Sequence, residues 1–84
     1  MYNIIVSKKA AKFILKLNSG YRNKIKTILN SLKRDPFVFP YKKIKGETHL
    51  YRIRIGKFRI LYEINKTDNQ IIIIKVDHRR RIYK

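Results

Sequence analysis

The chain has 84 residues, no cysteine, and 22 lysines and arginines against five acids, which gives a formal net charge of +17. This length predicts one domain over residues 1–84 with a modest core, because so small a domain buries only about 60% of the surface of its extended chain. The absence of cysteine excludes disulfides and cysteine-ligated zinc, and the charge favours a polyanionic partner, with nucleic acid as the leading class.

Nothing in the sequence predicts insertion into a membrane. The longest apolar run, Ile71–Ile74, has four residues, whereas a membrane-spanning helix needs about 20. Met1 is followed by a short strand-like run and then by lysines, rather than by the long apolar stretch of a signal peptide. We therefore expect a soluble, cytoplasmic protein with no membrane partner.

The first half of the chain predicts one strand and two helices. Residues 2–6 alternate as in a strand, and Ser7 is placed to cap a helix that runs to about Leu17. The turn Asn18–Gly20 leads into a second amphipathic helix, which must end at Asp35 because a proline follows. Since the turn is so short, the two helices should form an antiparallel hairpin.

The second half predicts strands. Residues 36–48, which contain two prolines and a glycine, form an irregular connection before strands at Tyr51–Ile55, Phe58–Ile64 and Gln70–Val76. The Gly56–Lys57 pair forms a tight hairpin turn, because glycine accepts the positive φ that such turns need. The expected fold class is α+β, with a single antiparallel sheet of about four strands and the N-terminal helical hairpin packed on one face.

Arginine is concentrated in the strand half of the chain. Six of the eight arginines lie between positions 52 and 81, whereas the first half takes most of its charge from lysine. In the strand after the connection, Arg52 and Arg54 alternate with apolar residues and should face away from the core. Arg59 returns on the next strand, where the register decides whether it shares their face. A second basic cluster, His78–Arg81, lies near the end of the chain.

The residue types favour metal-free chemistry over metal catalysis. The acids are few and separated along the chain, and His49 and His78 do not have the spacing of a zinc site. In RNA cleavage, attack of a ribose 2′-hydroxyl builds negative charge on the phosphate, which arginine can stabilise through two hydrogen bonds. By residue type, His78 and Tyr83 are the candidate proton carriers. The arginines available for charge stabilisation are Arg52, Arg54, Arg59 and Arg79.

Each of these features also has a purely structural explanation. Outward arginines on a strand are more often a solvated face than a catalytic set, and Tyr83 lies where chain ends fray. His78 has the same parity as the apolar residues of its strand, which is also expected of a strand-end histidine with a structural hydrogen bond. By strand alternation, three aromatic residues point inward, so we expect core residues rather than platforms that stack on bases. They are Tyr51, Phe58 and Tyr62. Only clustering of the arginines would favour the catalytic interpretation.

Two stretches resemble a known family. They are YRIRIGKFRILYEI at Tyr51–Ile64 and VDHRRRIY at Val76–Tyr83. Together with the upstream strand, two helices and a basic loop that contains Lys45–Gly46, they resemble the RelE branch of the RelE/ParE toxin superfamily over essentially the whole chain. The double motif is specific for the superfamily and less specific for the activity.

The resemblance implies a toxin of a type II toxin–antitoxin system that cleaves mRNA in the ribosomal A site without a metal or other cofactor. Better-studied relatives have lysines where this chain has Arg52 and Arg54, a change that keeps the charge but makes proton abstraction harder. The positions that match the family's catalytic residues are Arg52, Arg54, Arg59, Arg79 and Tyr83. We predict that RNA or the ribosome binds to the remaining basic residues of these regions, which are Lys42, Lys43, Lys45, His78, Arg80 and Arg81.

The resemblance also implies partners. A RelB-like antitoxin, a disordered acidic to amphipathic segment that folds on binding, would hold the toxin inactive, and the ribosome and mRNA would be its targets. Two alternatives remain open. One is a ParE-type toxin that poisons DNA gyrase on the same fold, and the other is a non-catalytic RNA- or ribosome-binding module whose affinity is electrostatic.

Overall fold

The structure is a computed structural model that describes residues 1–39, 41–44 and 49–82. Within these ranges the chain forms two helices and five strands. In chain order they are β1 (Asn3–Val6), α1 (Lys8–Lys16), α2 (Ser19–Arg34), β2 (Tyr41–Lys43), β3 (Leu50–Ile55), β4 (Phe58–Asn65) and β5 (Gln70–His78).

The strands form one sheet in the order β1-β5-β4-β3-β2. The antiparallel meander β3-β4-β5 is as predicted, but β1 joins it in parallel with β5. A parallel pair needs a long connection, and residues 7–69 supply one. The α+β class with two helices on one face of a single sheet is confirmed. The sheet itself is mixed and has five strands among the described residues, rather than being antiparallel with about four.

The strand that the sequence did not reveal is β2. It lies inside the connection 36–48 and has three residues, too few to show alternation. It pairs antiparallel with β3 and forms the outer edge of the sheet. Very short edge strands beside prolines are common in proteins, because they limit unwanted pairing with other chains.

Side-chain caps define both helices. Ser7 caps α1 as predicted, since its Oγ accepts a hydrogen bond from the backbone N–H of Ala10 at 3.1 Å. Asn18 caps α2, with its Oδ1 accepting from the N–H of Tyr21 at 3.0 Å. The predicted three-residue turn is therefore shorter, and the serine and glycine after Asn18 belong to α2. The helix ends with Asp35 as its C-cap, as the following proline requires.

The core lies between the helices and one face of the sheet. Tyr62, at its centre, is fully buried, and its hydroxyl donates to the carbonyl oxygen of Pro36 at 3.4 Å. Burial raises the pKa of the Tyr62 phenol well above its usual value, and the nearby phenols of Tyr41 and Tyr51 raise it further. The buried residues that form the core are Ala10, Ile25, Leu32, Tyr51, Ile53, Ile55, Ile60, Tyr62, Ile64, Ile71, Ile73 and Val76.

A β-bulge divides β5 into two halves of opposite phase. Before the bulge, Ile73 pairs with Tyr62 and is fully buried on the helix side. After it, Lys75 pairs with Leu61, so Ile74 is the extra residue. One inserted residue moves every following side chain to the other face of the sheet.

Because of the bulge, every second residue of β5 does not lie on the same face of the sheet. Ile72 and Ile74 are half-buried on the face away from the helices, whereas Val76 and His78, which have the same parity in the sequence, lie on the helix side. The start of α1 fastens the bulge, because the Ser7 hydroxyl donates to the carbonyl oxygen of Ile74 at 2.7 Å.

Candidate nucleic-acid interface

The sheet face that is turned away from the helices, named the open face here, carries the arginines of β3 and β4. Arg54 pairs directly with Arg59, and Arg52 pairs with Leu61, so the three arginines share this face. Directly opposed residues have Cα atoms about 4.5 to 5.5 Å apart, and residues two apart on one strand are separated by about 7 Å. The register therefore places Arg59 beside Arg52 and Arg54.

Strand alternation separates the two lysines of β2. Lys42 pairs with Arg52 and lies on the open face, whereas Lys43 pairs with the buried Tyr51 and lies on the helix side. Both lysines are exposed. Lys42 thus extends the row that begins at Arg52, while Lys43 lies on the opposite face of the sheet.

The guanidinium of Arg59 is oriented by the turn that precedes it. Its Nη1 donates to the carbonyl oxygens of Gly56, at 2.9 Å, and of Phe58, at 2.8 Å. Gly56 has a φ of 55°, which gives the turn the shape that presents its carbonyl to Arg59. Together these two carbonyls fix the direction of the guanidinium.

After β5, the chain turns and brings the closing basic cluster to the same end of the sheet. The backbone N–H of Arg79 donates to the carbonyl oxygen of Lys57 at 2.9 Å, and the N–H of Arg81 donates to that of His78 at 2.9 Å. Lys57 belongs to the β3–β4 turn, so Arg79 lies beside the turn that orients Arg59. A cavity of about 580 Å³ opens here and is lined by Lys57, His78, Arg79, Arg80 and Arg81.

Asp77 connects the two groups of cations. It pairs with Arg59 across β4 and β5, and its Oδ1 lies 3.7 Å from Nε of Arg81. The same oxygen accepts a hydrogen bond from the N–H of His78 at 2.7 Å. Because the Arg81 side chain is 60% exposed, solvent weakens the ion pair, and its main effect is to orient Arg81.

His78 lies on the other side of the sheet from Arg52, Arg54 and Arg59. It pairs with Phe58, and its ring packs against those of Phe58 and Phe13, with centroids 4.9 and 6.2 Å away. The ring is half-buried and lines part of the cationic cavity. This packing supports the structural interpretation of His78, and it does not bring the imidazole to Arg52, Arg54 or Arg59 as a proton carrier would require.

Arg54 stands at the margin of the open face. It is exposed, and it borders a groove of about 400 Å³ that is otherwise lined by residues of α2, Phe39 and Ile55. The pairing of β2 with β3 begins at Ile53, one residue before Arg54. Arg54 therefore lies between two surfaces, whereas Arg52 and Arg59 are flanked by paired strands on both sides.

Two predicted site residues, Lys45 and Tyr83, lie outside the described residues, and their roles stay predictions. Among residues 1–39, 41–44 and 49–82, no three histidine or acidic side chains come close enough to share a metal ion. In the same ranges, neither helix has the length and apolar character needed to cross a membrane.

Sequence reasoning missed two lysines that contribute to this surface. Lys57 lines the cationic cavity, and its place in a basic hairpin turn was a usable signal. Lys75 is buried on the open face, and its Nζ donates to the carbonyl oxygen of Arg81 at 2.9 Å. No signal indicated Lys75, because its face depends on the bulge at Ile74.

The surface as a whole can bind and polarise a phosphate. Arginine forks donate in pairs to phosphate oxygens, and the neighbouring lysines add attraction for a polyanion. The cations form two adjoining groups, with Arg52, Arg54 and Arg59 on the open face and Arg79–Arg81 around the cavity beside the hairpin turn.

The sequence matches a family model over residues 4–83, that of the ParE toxin of the type II toxin–antitoxin system parDE. Two proteins of Methanocaldococcus jannaschii are similar along nearly their whole length. The putative toxin RelE1 is 35% identical, with 99% of this chain and 96% of that protein covered. The toxin RelE3 is 34% identical, with 95% and 93% covered.

Solved structures share the fold. A chain of the archaeal RelE–RelB complex from Pyrococcus horikoshii OT3 superposes with a TM-score of 0.85 at 27% identity, covering 95% of this chain and 97% of that one. A chain of the RelB–RelE antitoxin–toxin complex from Methanococcus jannaschii gives 0.78 at 31% identity, with 95% of each chain covered. The isolated RelE toxin of E. coli gives 0.81 at 22% identity over 93% of this chain and 84% of that one, a likeness of fold alone.

Proposed function

This chain belongs to the ParE toxin family of type II toxin–antitoxin systems as a RelE-like toxin, and on that premise we propose that it is a metal-independent endoribonuclease. Its substrate is mRNA in the ribosomal A site. The observation that carries the proposal is the shared face of Arg52, Arg54 and Arg59, together with Arg79 beside the same hairpin turn.

In the proposed reaction, a ribose 2′-hydroxyl attacks the adjacent phosphate and the 5′-oxygen leaves. Negative charge grows on the phosphate oxygens, so donors that are already in place stabilise the transition state more than the ground state. Arg59 suits this role because two carbonyls hold its guanidinium in position. Arginine keeps its proton at neutral pH, so these residues act through charge and orientation rather than as bases.

The remaining steps are assigned by residue type. The proton that the 2′-hydroxyl loses must reach the leaving 5′-oxygen, and Tyr83 is proposed to carry it, since the packing of His78 on the helix side keeps the imidazole away from Arg52, Arg54 and Arg59. Lys42, Arg80 and Arg81 are proposed to bind RNA or ribosomal phosphates, because all three are exposed beside the arginines. The ribosome would supply substrate alignment, which can account for a large part of the rate.

The proposed inhibitor is a RelB-like antitoxin. Relatives from P. horikoshii and M. jannaschii were solved as complexes of RelE with RelB. A toxin with a net charge of +17 attracts an acidic segment at long range, and the segment can order as it binds. With the ribosome as target, the proposed site of action is the cytoplasm.

The test is primer extension on an mRNA translated with the purified toxin. We expect cuts at A-site codons from the wild type, a loss of about 100- to 1,000-fold for Arg59→Ala or Arg79→Ala, and normal cleavage by Arg34→Ala. Arg34 is a matched control, because it is exposed at the end of α2 and its removal changes the charge equally.

Three results would redirect the proposal. Full cleavage by both Arg59→Ala and Arg79→Ala would remove the catalytic assignment. Inhibition of gyrase supercoiling at low toxin stoichiometry would favour the ParE-type poison. Ribosome binding that weakens steeply with salt and yields no product would identify a non-catalytic binding module.

A further inference from the structure

Lys75 is a charged residue in a place where an apolar one would pack. It lies in β5 between Ile74 and Val76, pairs with Leu61, and is 8% exposed. Among the described residues it is the one buried charged side chain. Removing an ammonium group from water is costly unless it gains hydrogen bonds in return.

The ammonium group is bonded to the C-terminal turn. Its Nζ donates to the carbonyl oxygen of Arg81 at 2.9 Å, and a bond from a charged donor is stronger than one between neutral groups. Since the Lys75 side chain lies on the open face, this bond places the main chain of Arg81 on that face. The next residue, Ile82, is 2% exposed although it lies outside the main core.

The bulge makes this bond possible. In a regular strand Lys75, two residues after Ile73, would lie on the same face as Ile73 and enter the core; the bulge at Ile74 places it on the open face instead. Two bonds from Ser7 secure the bulge: its N–H donates to the carbonyl of Ile73 at 3.0 Å, and its hydroxyl donates to that of Ile74 at 2.7 Å.

We propose that Lys75 is a positioning residue for the C-terminal arginines. Its ammonium group holds residues 79–82 against the open face, so that Arg79 and Arg81 stay on the side where Arg59 is fixed. The effect on cleavage rests on the proposed function, whereas the anchoring itself does not. Because Lys75 is buried and bonded to the main chain, it acts through the turn and does not touch the substrate.

The first test measures the anchoring in the free toxin. In Lys75→Met, which keeps the stem and loses the charge, we expect backbone NMR order parameters of residues 79–82 to fall from a rigid value near about 0.85 to below about 0.6. Ile71→Val, which trims a fully buried residue on the helix side, should leave this turn rigid. Unchanged order parameters in Lys75→Met would overturn the proposal.

The second test measures cleavage on the ribosome. Lys75→Met should lower kcat by about 10- to 100-fold, as expected for misplaced groups, with KM changed by less than about twofold. Lys33→Met, at an exposed lysine of α2, controls for the lost charge, and Ile71→Val controls for lost stability.

The two tests separate the two proposals. If KM rises while kcat is unchanged, or if Lys75→Met matches Ile71→Val, Lys75 is not a positioning residue. If the wild type does not cleave at all, the proposed function fails, and the order parameters still decide whether Lys75 anchors the turn.

Discussion

The same strands form both faces of the sheet, but the helix side buries apolar residues whereas the open face carries charged ones. On the helix side, β3 places Tyr51, Ile53 and Ile55 in the core. On the open face, the same strand places Arg52 opposite Lys42, and Arg54 opposite Arg59. One face gains stability from burial of apolar surface, whereas the other sets like charges directly across from one another, which destabilises a sheet.

This contrast separates the residues whose presence packing explains from those whose presence it does not explain. Packing explains the apolar residues of the helix side, since other well-fitting apolar side chains would serve there. Packing does not account for the direct opposition of Arg54 and Arg59, which places two like charges across neighbouring strands. Binding of the proposed RNA substrate would offset this repulsion, which is consistent with the functional role that we propose for these arginines.

The largest expected effect is a loss of stability, and it compares two neighbouring residues of β5 that lie on opposite faces of the sheet. Ile73→Ala should lower the free energy of unfolding by about 2 to 5 kcal/mol, because it leaves a cavity in the core. Ile72→Ala, at the next residue on the open face, should cost clearly less, since Ile72 is only half-buried. Urea denaturation measures both, and equal losses would contradict the assignment of the two faces.

A second prediction concerns pH and the helix side. Burial raises the pKa of Tyr62, so above about pH 10 the phenol ionises in the unfolded chain before it ionises in the folded protein. The protonated Tyr62 phenol makes its full contribution to the free energy of unfolding below that pH. As the pH rises further, this free energy falls by up to about 1.4 kcal/mol per pH unit. Tyr62→Phe should therefore lose less stability than the wild type between pH 10 and 11. Parallel stability curves for the two proteins would show that burial does not raise this pKa.

The smallest expected effect concerns the open face. Arg54→Gln should raise the free energy of unfolding by a few tenths of a kcal/mol, up to about 1, because it relieves repulsion from Arg59. The gain should vanish in 1 M salt, which screens charges beyond about 3 Å. Arg34→Gln should not raise the free energy of unfolding, since Arg34 lies in the last turn of α2, where its positive charge interacts favourably with the helix dipole. A salt-independent gain would point to a cause other than charge.

The sequence predicted what depends on local pattern. Alternation around Gly56 identified the β3–β4 hairpin and the outward direction of Arg52 and Arg54, and the cap at Ser7 and the stop before Pro36 bounded the helices. These features follow from neighbouring residues alone.

What the sequence missed depends on contacts between distant segments. The bulge at Ile74 is fastened by Ser7, which is 67 residues away, so alternation along β5 could not reveal that Lys75 turns outward and His78 turns inward. Similarly, β2 exists because β3 is available to pair with it. Each of these tertiary contacts overrides or completes the local pattern.

The most direct test of the central claim is the single-turnover rate of mRNA cleavage on ribosomes saturated with Arg59→Ala toxin. If the open-face arginines stabilise the transition state, the rate falls by about 100-fold or more while ribosome affinity changes by less than about twofold. A wild-type rate at saturation, with only weaker binding, would show that Arg59 supplies attraction and not catalysis.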